Sequence, residues 1–273
     1  MKTLKETLFI RTLAEMAAEL LKEVVDQDNP RPGQFTRGFT NQEEYLRTIL
    51  SYSDEVSIAC DQLHYALSYL SGYQSRKTLN GELITRADYI AYQLENLYLR
   101  FIMIPDRSLR LTNEVFRLGI PARECKNRTV TDNQHLRGTE VRKCLRIIEK
   151  SVQPYREMRN TIAHLSRYND PKLRKFEVYS ILQKSEGPPN DPVLELTRYH
   201  YKHKADQYID AKRNEFGPVV DSLVNQVGNF FEKLFTVLIL SALLNTNLPK
   251  WNCTLFNKDS LCQVLFLKIS IWI

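Results

Sequence analysis

Glycine and proline are scarce, 9 and 11 among 273 residues, too few for the many corners of a strand-rich sandwich or barrel, so the chain reads as all-α. Cysteine is scarcer. Cys60, Cys125, Cys144, Cys253 and Cys262 are odd in number, widely spaced and form no C-x-x-C pair, which excludes a zinc-finger spacing and a compact disulfide framework. Reduced thiols in the cytoplasm are the simplest reading. There is no GxxxxGKS/T phosphate loop and no arginine- and glycine-rich tail. The longest apolar stretch, Leu234 to Leu244, is too short to span a bilayer, and the opening MKTLKETLFIRTLAEM lacks the apolar block of a signal peptide. The expectation is a cytoplasmic protein with no membrane partner. Charge of one sign is in only small excess: +6, with a pI of about 9.0, supports a polyanionic partner weakly.

What is present is a series of helical patterns. Leu4, Leu8, Leu13, Met16, Leu20, Leu21 and Val24 recur at three- and four-residue intervals, followed by a connection at Pro30, Pro32, Gly33 and Gly38. A long helix is expected from Asn41, with Asn41 as its cap and Glu44 three residues on, through Leu70. Another runs from about Thr85 to Met103. Pro105 should disrupt it or open its successor, and Asp106 can cap a shorter helix that Gly119 and Pro121 end. Residues 122 to 135 read as a loop. A helix from Gly138 to Lys150, with Thr139 near its start, precedes a break at Pro154. Beyond a Gly- and Pro-containing run at Glu186–Pro192, a helix is expected from about Glu215 to Leu244, with Pro218 in its opening turns, and then a hydrophobic tail. These divisions give an N-terminal helix and linker at 1–40, a helical core at 41–185, a C-terminal helical extension at 186–250 and a tail at 251–273.

The chemistry concentrates in Tyr155–His164. At about 100° per residue, Arg156, Asn160 and His164 share one helical face with Arg159 on its flank, while Met158, Ile162 and Leu165 turn elsewhere. A guanidinium fork suits phosphate oxygens, and an imidazole can give or take a proton near neutrality. Together they suit a phosphodiester. In RNA the 2′-hydroxyl supplies the nucleophile, so the protein need only move protons and stabilise charge growing on the phosphoryl oxygens.

Arg159 and Asn160, followed after three residues by His164, resemble the RNxxxH signature of the HEPN superfamily, and the region from about 45 to 185 is similar to a bacterial HEPN subfamily of stand-alone proteins. The resemblance implies an all-α HEPN-like helical bundle that dimerises so that two motifs face one cleft, and metal-independent endoribonuclease activity with no cofactor and no metal ligand. It implies that Arg159 contacts the scissile phosphate, that His164 serves proton transfer or transition-state stabilisation, and that Asn160 holds the imidazole or a phosphate oxygen. It also implies a supporting acid on a neighbouring helix, for which Glu95 is the candidate. Positions three and four residues from Glu95 hold Ala91, Tyr92, Tyr98 and Leu99, so no local ion pair accounts for it. Arg156 joins the face on geometry, and Arg123, Lys126 and Arg128 stand just ahead of the motif helices as a rim for RNA. Members of the superfamily act as toxins with antitoxin partners, in phage defence and in RNA processing. Others do not cleave, so a non-catalytic RNA-binding or protein-interaction module is the alternative.

Three further features have two readings each. His64 is a structural or a catalytic histidine. Arg76, Lys77 and Arg86 are solvated charges or backbone contacts. Tyr199–Lys204 is a polar helix rim or a stacking surface for bases; its His200 and His203 have no cysteine cluster to complete a zinc site.

Overall fold

The computed structural model describes residues 4–24, 37–74, 84–176 and 192–244. The 25–36 connection, Arg76, Lys77, most of the Glu186–Pro192 run and the hydrophobic tail, with Cys253 and Cys262, lie outside the described residues. Met1–Leu234 form one compact unit and Phe235–Ile273 a second.

Among the described residues every regular element is helical, and the chain is an all-α bundle with flanking helices. After a 3-10 turn at Leu4–Glu6 come α1 (Leu8–Val24), α2 (Asn41–Tyr69) and α3 (Arg86–Val115). Short α4 (Asn127–Thr131) and a 3-10 turn (Gln134–Leu136) lead to α5 (Glu140–Val152). A second 3-10 turn (Gln153–Tyr155) joins α5 to α6 (Arg156–His164). The described residues 171–176 are helical (α7), and α8 spans Pro192–Leu244. In the second unit the described residues, 235–244, are helical.

The centre of the first unit is the antiparallel pair of α2 and α3. Tyr45 near the start of α2 donates its hydroxyl to the Val115 carbonyl at the end of α3 (2.9 Å), and Tyr89 near the start of α3 donates to the Tyr69 carbonyl (2.7 Å). Leu46, Ile49, Val56, Ala59 and Leu63 of α2 are buried against Ile90, Leu94, Leu97, Phe101 and Ile104 of α3. At roughly 1.5–3 kcal/mol for each large side chain removed from water, this seam is the main source of stability. Helix α1 packs on α2, while α5 and α6 pack on α3. Helix α8 adds Phe216 beside Tyr98 and Phe101, and Phe231 beside Phe9 of α1.

Four local expectations shift. Helix α2 is capped by Thr40, one residue before Asn41: its hydroxyl accepts the Glu43 N–H, and Glu43 accepts the Thr40 N–H at 2.7 Å. Arg37 forks onto the same carboxylate at 2.6 and 2.7 Å and, with the Thr40 N–H, holds its pKa down at about 2, so the Thr40–Glu43 box prevails over Asn41–Glu44. Helix α3 runs straight through Pro105, and Asp106 caps nothing. Buried Phe101, Ile102, Ile104, Leu109 and Leu111 flank the proline on both sides, and their burial outweighs the roughly 3 kcal/mol that an interior proline costs. The expected loop at 122–135 contains α4 and a 3-10 turn, because Val130 and Leu136 bury completely. Finally, α8 begins at Pro192 and not near Glu215. Buried Tyr201, Ala205, Tyr208, Ile209, Phe216, Val220 and Leu223 carry it past Pro218, and Tyr199–Lys204 is helical.

Candidate functional site

Helix α6 differs from every other long element in its support. None of its nine residues is buried. Beyond its packing on α3, it is held by what precedes and follows it. Before it, the Tyr155 ring stacks on Phe101 at 4.4 Å and stands 6.1 Å from Tyr98. After it, the Tyr168 ring stacks on Tyr98 at 5.7 Å, while the Tyr168 N–H donates to a Glu95 carboxylate oxygen at 2.6 Å. Glu95 and Tyr98 lie three apart on α3, so one patch of that helix receives the chain on both sides of α6. Nine helical residues rise about 13 Å, a distance that three or four extended residues can retrace, which is how 165–168 bring the chain back to Tyr98.

The return is anchored further by Asp170. Its carboxylate accepts the Tyr208 hydroxyl at 2.7 Å, the Tyr168 hydroxyl at 3.3 Å and the Lys172 N–H at 2.8 Å, with Lys212 at 3.9 Å. Burial acts to raise the Asp170 pKa, but the Tyr208 and Lys172 hydrogen bonds and the Lys212 charge outweigh it and the pKa falls. Burial pushes the Tyr98 phenol up to about 12, so this aromatic seat stays neutral.

On α6 itself, Arg156 is committed. Its guanidinium forks onto both oxygens of Glu149 at 2.7 and 2.8 Å, tying the first turn of α6 to the last turn of α5. The neighbouring Arg159 donates to the Asn160 side-chain oxygen at 3.0 Å, and that pair is exposed. His164 is also exposed, in the last turn, and its imidazole makes no hydrogen bond among the described residues. Beyond it Leu165 is 82% exposed. Met158 and Ile162 of α6 are half-buried, so its apolar side anchors the helix less than a fully buried amphipathic face would. On α3, Asp106 reaches solvent among packed helices. Loss of water around its carboxyl raises its pKa, and Arg156 and then Arg159 act against the rise. Asp106 thus stands within the field of Arg156 and Arg159, whereas Glu149 binds Arg156 and Glu95 grips the backbone four residues after His164.

Arg159, Asn160 and His164 come together on α6, with Arg156 drawn to its base. Arg123 and Lys126 are exposed between α3 and α4, and Arg128 on α4 lies 3.8 Å from Asp132. His64 lies 3.3 Å from Asp221 of α8, a helix-to-helix contact away from α6. Arg86 ties α3 to α8 through Asp206 and the Lys202 carbonyl. Tyr199 is exposed and stacks on His203 at 6.3 Å. Local pattern does not mark Tyr98, Glu149, Tyr168 or Asp106 as supports of the motif. Tyr98 meets partners 57 and 70 positions away, and the Glu149–Arg156 pair crosses a helix break.

A family model described as Cthe2314-like HEPN matches residues 45–216, from the first turn of α2 into the middle of α8 and including all of α6. No curated protein and no solved structure matches the chain. No described helix is long and apolar enough to cross a membrane. The matched stretch covers well over half of the 273 residues and contains the paired α2 and α3, the break at Pro154 and the helix bearing Arg159, Asn160 and His164; the chain is a member of the HEPN superfamily.

Proposed function

We propose that this protein is a metal-independent endoribonuclease that cuts single-stranded or looped RNA with Arg159, Asn160 and His164. The 2′-hydroxyl oxygen attacks the adjacent phosphorus, the bond to the 5′-oxygen breaks, and the products are a 2′,3′-cyclic phosphate and a 5′-hydroxyl. One proton leaves the 2′-oxygen and one reaches the departing 5′-oxygen. His164 serves that proton traffic or the charge of the transition state, Arg159 binds the phosphoryl oxygens, and Asn160 orients one of them. The observation that carries the reading is the HEPN match across a helix whose arginine and histidine are both open to solvent. Glu95 positions the helix through Tyr168, and Arg156 does so through Glu149.

The active species in this reading is a homodimer. Two features support it: among the described residues the Arg159 guanidinium hydrogen-bonds only its neighbour Asn160, and the His164 imidazole has no hydrogen-bonding partner to orient it. A second copy would bring a facing motif. Residues 41–185 form the RNA-acting core, with 1–40, 186–250 and 251–273 as additions. A toxin with an antitoxin partner, or a component of phage defence, is the biological setting that accords with such chemistry.

The test is incubation of the purified protein with end-labelled single-stranded RNA in EDTA, with the product ends mapped. Scission leaving cyclic phosphate supports the proposal. Scission that requires Mg2+ contradicts it, and binding without scission assigns the chain to a non-catalytic RNA-binding role.

A further inference from the structure

The excess positive charge of the chain is not spread over its surface. Residues 117–150 hold nine arginines and lysines against four acids, a net +5 of the whole chain's +6, so the remainder is nearly neutral. Within this stretch three guanidinium groups converge on one carboxylate. Arg142 lies 3.0 Å from Asp132, Arg128 3.8 Å and Arg146 3.9 Å. One carboxylate neutralises one of the three, leaving a local excess of two charges on groups whose planar forks match phosphate oxygens.

The cluster is built on fixed elements. The Asp132 N–H bonds the Arg128 carbonyl at the end of α4, and Thr139 caps α5 by accepting the Arg142 N–H. Gly138, at a φ of +77°, makes the turn between them in a conformation that side-chain-bearing residues seldom adopt. Arg142 is the inner member, with its side chain 24% exposed, whereas the Arg128 and Arg146 side chains are 95% and 57% exposed. Along α5, Arg142, Arg146 and Glu149 recur at four and three residues and share a face about 100° round the helix from buried Val141, Leu145, Ile148 and Val152. That face therefore leads from the cluster to Glu149, where Arg156 of the motif helix is bound, over a rise of about 10 Å.

We propose that Arg128, Arg142 and Arg146 around Asp132 form a phosphate-binding site for the RNA backbone, holding the strand beside the motif at a point where no cleavage occurs. The proposal rests on the RNA reading above and extends it from the cutting residues to the path of the substrate. Asp132 has two effects: it gathers the guanidinium groups against their mutual repulsion, and it weakens the field that the strand meets. An acidic protein segment would meet the same charges, but the shared α5 face that ends at the motif favours a strand continuous with the cleavage site.

The test measures binding of labelled single-stranded 2′-O-methyl RNA, which has no free 2′-hydroxyl to attack, by the full chain over a range of salt concentrations. The paired exposed-residue variant Arg128→Gln/Arg146→Gln is expected to bind more weakly, and the slope of log affinity against log salt should become shallower by about 1.4, two phosphate contacts at about 0.7 each. Asp132→Asn is expected to bind more tightly than wild type. The charge-matched control Arg11→Gln/Lys175→Gln, at exposed positions elsewhere, should keep the wild-type slope. Wild-type binding left unchanged by Arg128→Gln/Arg146→Gln overturns the site while leaving the ribonuclease reading standing; absence of salt-dependent RNA binding by wild type overturns both. Competition by polyglutamate as effective as that by unlabelled RNA would reassign the cluster to an acidic protein partner.

Discussion

Helices α5 and α6 are separated by only three residues, Gln153–Tyr155, yet they are held in opposite ways. Helix α5 is stabilised along its length: Val141, Leu145, Ile148 and Val152 fill one face and are buried. Helix α6 has no fully buried residue: Met158 and Ile162 are half-buried where it packs on α3, and it is fixed by Tyr155 and Arg156 at its start and by Tyr168 after its end. A helix gripped along its length has half its surface committed to the core. One gripped at its ends can present its arginine and histidine to a substrate while keeping its direction, and this is the condition that a preorganised site needs.

The largest effect should come from removing the shared seat. Tyr98→Ala takes away the ring against which both Tyr155 and Tyr168 pack, and is expected to cost about 3–5 kcal/mol in denaturant unfolding. It should also raise amide exchange on both sides of α6. Protection lost on one side only would break the idea of a common support.

The comparison sharpens with a pair of apolar truncations. Ile148→Ala in α5 should lower stability by about 2–5 kcal/mol, because the side chain is completely buried. Leu165→Ser, at the 82% exposed position that follows α6, should change it by no more than about 0.5 kcal/mol. Similar losses in thermal unfolding would show that the two helices are held alike.

A smaller change is expected from Glu95→Gln. The charge-assisted bond to the Tyr168 N–H becomes a neutral one, at a cost of roughly 1 kcal/mol. Its diagnostic is local: exchange of the Tyr168 amide should quicken while that of α5 does not. A uniform change across the bundle would mean that Glu95 supports the fold in general and not the exit from α6.

Much of the fold was legible in the sequence because α1, α2 and α5 bury residues at regular three- and four-residue intervals, and periodicity reports such burial. It failed at Pro105, at residues 122–135 and at Pro192. A proline inside α3 survives through burial contributed by distant helices, and no local rule contains that contribution. The candidate site was legible only as a string of residue types. Arg159, Asn160 and His164 lie within six positions, so their spacing could be read directly. Among their surroundings Glu95 was named through the resemblance, but Tyr98 and Asp106 were not: Tyr98 meets the motif segment through tertiary packing, and Asp106 looked like a helix cap because Pro105 precedes it. The concentration of charge in 117–150 was readable from the sequence, but the convergence on Asp132 depends on how α4 meets α5.

The most direct test pairs two measurements on His164→Ala: single-turnover cleavage of labelled RNA in EDTA, and thermal unfolding of the same preparation. The account predicts a rate lower by about 100-fold or more with a Tm within about 2 °C of wild type, since the exposed imidazole contributes nothing to packing. A rate equal to that of the wild type, or a loss of activity matched by a collapse in Tm, would contradict the claim that α6 is held by its ends so that its face can do chemistry.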